Sequence, residues 1–125
     1  MKKIVIASLV AFSITLPAAA QHSHGNKGPN GGPMEDIAGV HAELTRSGNT
    51  LSFHISDENG KPVSTKAYSG SALVATGNRR ETVSLAPSGD NRLTGDVRTP
   101  LSSGALITLQ LKTDEGRTGQ VRFKQ

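Results

Sequence analysis

At 125 residues the chain is too short for two domains once any leader is set aside. It has no cysteine and no tryptophan, which excludes a disulfide framework and thiolate chemistry. The formal charge of +4 is mild, and the cations are scattered except for Arg79-Arg80. With few aromatics between them, that makes a poor nucleic-acid surface.

Residues 1–20 read as a secretory leader. Met1-Lys2-Lys3 is a basic start, "IVIASLVAFSITL" an apolar run, and "PAAA" a small-residue cleavage site ending at Ala20. The run is too short for a membrane span, so the mature form is expected to have none. Cleavage after Ala20 leaves a chain that starts at Gln21 and carries a net charge of about +2, with a periplasmic destination.

Residues 21–36 open with "QHSHGNKGPNGGPM". Rich in Gly, Pro and Asn and poor in apolar residues, this segment is expected to be a flexible tail. From residue 37 to 125 the pattern alternates with period two between turn signals, the mark of short β-strands. Seven are expected: 40–46, 50–57, 66–76, 79–86, 91–98, 105–113 and 117–124. Gly48-Asn49 and Gly77-Asn78 suit tight hairpins, while Asn59-Gly60, residues 87–90 and Glu115-Gly116 mark further turns. Residues 99–104 are long enough to cross between sheets in Greek-key fashion. The expected fold is all-β: a single seven-stranded immunoglobulin-like sandwich or a small Greek-key barrel. Its inward faces are Val40/Ala42/Leu44, Leu51/Phe53/Ile55, Val74, Val83/Leu85, Leu93/Val97, Ile107/Leu109/Leu111 and Val121/Phe123.

The histidines carry the chemical signal. His22 and His24 lie in the tail; His41 and His54 lie on the first two strands. A tight turn at Gly48-Asn49 pairs Ser47 with Thr50, because a one-residue slip would split the apolar residues between two faces. Glu43 then faces His54, and His41 is a diagonal neighbour of His54, at about 5 Å and roughly 7–8 Å between Cβ atoms. Two imidazoles and a carboxylate suit Cu(II), Zn(II) or Ni(II). The same residues also fit an ordinary surface pair worth a few tenths of a kcal/mol. In the tail, His22 would be the second residue of the mature chain, able to chelate with the α-amine, and His24 offers a third nitrogen. Met34 adds a thioether, and Glu35 and Asp36 add oxygens. The candidate metal ligands are therefore His22, His24, His41, Glu43, His54 and Met34, for one divalent transition-metal ion. On this reading the mobile tail folds back onto the strand patch and closes a site that exchanges its ion easily.

The segments "HSHGNKGPNGGPMEDIAGVHAEL" and "LSFHISDENGKPVS" resemble a group of small exported proteobacterial proteins. The "GPNGG" stretch followed by His-x-Glu-Leu is also similar to a segment near the N-terminus of periplasmic adaptor subunits of heavy-metal efflux pumps. The resemblance covers about residues 22–65. It implies a metal-related periplasmic role, with a heavy-metal efflux system or another periplasmic protein as partner, and its matching positions are His22, His24, residues 28–32, His41 and Glu43. The long hairpin of the adaptors is missing, so an adaptor itself is excluded, and a dedicated Cu(I) carrier is disfavoured by the lack of a methionine cluster. No Gly-x-Ser-x-Gly elbow, His-Glu-x-x-His or phosphate loop is present, so an enzyme is not expected. The alternative is an immunoglobulin-like periplasmic interaction module whose histidines are incidental.

Overall fold

A computed structural model describes residues 26–124. The leader, His22 and His24 lie outside the described residues. Within them the protein is all-β and has eight antiparallel strands. These are β1 (Met34–Ile37), β2 (Val40–Ser47), β3 (Thr50–Ser56), β4 (Ser69–Thr76), β5 (Arg79–Ser88), β6 (Arg92–Asp96), β7 (Leu106–Lys112) and β8 (Thr118–Lys124).

The strands follow the spatial order β1-β2-β3-β6-β5-β4-β7-β8 in one sheet that curls until β1 lies against β8. The meander β4-β5-β6 is flanked by β3 beside β6 and β7 beside β4, which is Greek-key order. Residues 97–105 make the second of the two long crossings, as the 99–104 segment suggests. β5 turns the corner: its first part pairs with β4, and its residues 86–88 pair with β6.

Turn chemistry sets the registers. Ser47 pairs with Thr50 around Gly48 (φ 60°), and Thr76 pairs with Arg79 around Gly77 (φ 58°). The interior is filled from alternating positions, and the rings of Phe53 and Phe123 meet across it at 5.7 Å between centroids. Ile37, Tyr68, Ala72 and Ala105 join the expected core, while Val40 and Val121 are half-buried and pack against it.

Two expectations are corrected. There are eight strands, not seven, because the first three residues of β1, Met34 to Asp36, fall in the segment 21–36 that reads as tail. Its four residues include two acids and show no apolar alternation. The turn that returns it to β2 is Ala38-Gly39, with φ 49° and 85°. Positive φ at both positions defines the hairpin-favouring I′ geometry, but alanine gives no sign of it in a sequence. Residues 26–33 are likewise part of the folded body: Lys27 bridges Pro33, and Asn26 O accepts from Met34 N at 2.9 Å.

Candidate functional site

The outer face of β1, β2 and β3 carries the sequence candidates in two rows. Met34 faces Glu43, which faces His54; Asp36 faces His41, which faces Ser56. The register inferred from the Gly48-Asn49 turn is the one adopted, so His41, Glu43 and His54 belong to one side of the sheet.

Glu43 does not stand free on that side. It is 2 % exposed, although the position faces outward. The covering is the loop at residues 28–32. Its carboxylate oxygens accept from Asn30 N (2.9 Å), Asn30 Nδ2 (3.1 Å) and Gly32 N (2.9 Å). A buried carboxylate is costly unless it is hydrogen-bonded, and backbone N–H groups are strong donors to it. The glycines let the loop come this close. A Cβ at Gly28 would run into the Glu43 carboxyl, and one at Gly32 into the Leu44 carbonyl oxygen. The Gly-Pro-Asn-Gly-Gly stretch and Glu43 therefore form one structural unit, a loop latched by a carboxylate.

This removes Glu43 from the set of available ligands. An ion at its oxygens would have to displace the Asn30 and Gly32 donors. It also separates the two strand histidines. Nε2 of His54 lies 2.9 Å from Thr45 Oγ1, on the far side of Glu43 from His41. Nδ1 of His41 is buried and meets Asp36 Oδ1 on β1. The two imidazoles thus engage opposite ends of the patch. Among the described residues, no group of three or more His, Cys, Asp or Glu side chains is placed to hold a metal ion. The expected convergence of His41, Glu43 and His54 on one cation does not form.

Two features of the patch bear on ligand chemistry. Burial pushes the His54 imidazole below its usual value of 6.5, against the opposing pull of Glu43 and with help from Arg92. That keeps the ring neutral near pH 7, the form able to donate a lone pair. Met34 and His54 share the rim of a small crevice of about 50 Å³, which Pro29 and Asn30 help to close.

No family model, curated protein or solved structure matches the chain.

His41 is the strand histidine whose ring nitrogen meets a carboxylate of β1. The Asp36 carboxylate comes close to this nitrogen, but Nδ1 makes no hydrogen bond there, so the contact is an ionic approach only. With Nδ1 buried, the quarter of the side chain that remains exposed belongs to its other atoms. The sequence does not show the Asp36–His41 pair, because Asp36 reads as part of the tail. Gly39 is a trace of the connecting hairpin in the sequence, but the alanine before it gives none.

Proposed function

We propose that the protein is an exported metal-binding accessory protein that holds one Cu(II), Zn(II) or Ni(II) ion through His41 and the tail histidines His22 and His24. The observation that carries this reading is the Asp36–His41 pair. It sets a carboxylate beside the His41 imidazole, and three nitrogens from one strand and a tail suit these borderline cations. Chain length is compatible with it. Asn26 is hydrogen-bonded to Met34 at the β1 edge, two residues along that strand from Asp36. His24 precedes Asn26 by two residues, a reach of up to about 7 Å. Glu43 has no part in the ion site; it holds the loop from which the tail emerges. The likeness of the "GPNGG" and His-x-Glu-Leu segments to efflux adaptor subunits supports a periplasmic setting and a heavy-metal efflux system as partner. The Greek-key order, with β5 shared between the two halves, supports a distant likeness to immunoglobulin-like sandwiches.

The test is calorimetric titration of the mature chain with each ion at pH 7.5 and at pH 5. Affinity is expected to fall at the lower pH as imidazoles protonate. His41→Ala and the double change His22→Ala/His24→Ala are each expected to weaken binding by about tenfold or more, the range seen when a ligand or its support is lost. Unchanged affinity in both variants would remove the proposal.

A further inference from the structure

The opposite side of the barrel presents a different surface. On the outer face of β4, β5, β7 and β8, Arg80 faces Ala75 and Ala75 faces Leu106, while in the next row Leu73 faces Thr108 and Thr108 faces Arg122. None of the outward positions on these four strands is Asp or Glu, whereas Arg80, Lys112, Arg122 and Lys124 all occupy them. A cleft of about 260 Å³ opens between the rows, with Leu73, Ala75 and Leu106 as its apolar lining and Arg80 and Arg122 at its edges. Leu73 is 37 % exposed, the exposed large hydrophobic among the described residues. A second groove of about 620 Å³ crosses three of these strands, β4, β7 and β8, beside Ser71, Gln110 and Gln120.

We propose that this face docks an acidic segment of a partner protein, one that places an aliphatic side chain in the cleft and carboxylates against Arg80 and Arg122. The proposal is independent of the ion site. Guanidinium groups match carboxylates with two parallel hydrogen bonds. On their ladders with β4 and β7, Arg80 faces Ala75 and Arg122 faces Thr108, so neither is opposite an acid there. The apolar lining adds a hydrophobic requirement that a simple polyanion does not meet. No aromatic side chain lies on the face to stack a nucleic-acid base. A planar lipid surface would leave the cleft unfilled, whereas an extended segment fills it and meets hydrogen-bonding side chains in the adjoining groove.

Fluorescence anisotropy with two labelled synthetic peptides tests this, one of glutamate alone and one with leucines spaced among the glutamates. The leucine-containing peptide is expected to bind more tightly, and both are expected to weaken as salt is raised. Arg80→Glu/Arg122→Glu should weaken binding at least about tenfold, as charge reversal in a complementary interface does. Leu73→Ser should abolish the difference between the peptides, and Arg46→Glu on β2 should change nothing. Thermal melts establish that each variant is folded; if the double variant is not, Leu73→Ser alone decides. The proposal is overturned if neither peptide binds, if Arg46→Glu weakens binding as much as the double change, or if phosphatidylglycerol vesicles bind more tightly and displace the peptide.

Discussion

Gly28 passes so close above Glu43 that a side chain at position 28 would occupy the space of the carboxyl group. Glycine and glutamate, fifteen positions apart in the chain, are thus a single packing decision. The loop exists in this form because Glu43 holds it, and Glu43 is tolerated in a buried position because the loop satisfies it.

Glu43→Gln tests that dependence. The amide can keep its oxygen on Asn30 N and Gly32 N, but it loses the charge and turns its N–H donors toward Asn30 Nδ2, itself a donor. Hydrogen bonds to charged groups contribute roughly 1.5–3 kcal/mol each, and an unsatisfied buried group costs a further 1–3 kcal/mol. Urea unfolding should show a loss of about 2 kcal/mol or more, with Gly28→Ala destabilising in the same direction. A Glu43→Gln protein as stable as the parent would mean that the latch contributes nothing.

Much of the fold was legible because its signals are local. Gly48-Asn49 specifies a hairpin, and the alternation on either side leaves a single register, which placed Glu43 opposite His54 correctly. Legibility ended where a long-range contact decided the outcome. The Gly-Pro-Asn-Gly-Gly stretch announces a turn but not where the turn comes to rest, so Glu43 read as an open ligand. Asp36 read as tail because an alanine in the left-handed region gives no warning of a hairpin. The site changed with it: the carboxylate beside an imidazole is Asp36 with His41, not Glu43 with His54.

Ala38 offers a second test. Its φ of 49° costs roughly 1–2 kcal/mol for a residue with a Cβ, and glycine avoids this while losing about 0.5–1 kcal/mol in chain entropy. Ala38→Gly is expected to raise stability by about 0.5 kcal/mol in a denaturant titration. The hairpin tip lies where a Cβ at Gly119 of β8 would sit 3.2 Å from Ala38 N. Gly119→Val should therefore push β1 from β8 and destabilise the protein, read as faster hydrogen exchange at β1 amides.

His54 predicts a pH dependence. Its value in the folded protein lies below 6.5, so between the two values the unfolded chain binds more protons than the folded one. The contribution to stability is complete above about 6.5 and is lost as pH falls through the folded value. Unfolding free energies measured across mildly acidic pH should therefore decline toward acid, and His54→Gln should flatten that decline. An identical slope in the variant would show that this imidazole is not the group responsible.

The ion site is tested most directly by nuclear magnetic resonance of the mature chain during addition of sub-stoichiometric Cu(II), whose unpaired electron broadens nearby signals. The account predicts that resonances of His41, Asp36 and the two tail histidines disappear first, ahead of those of His54 and of the amides of Asn30 and Gly32 around Glu43. Broadening that begins at His54 and Glu43, or that is confined to the acidic turns at Asp57-Glu58 and Asp114-Glu115, would contradict it.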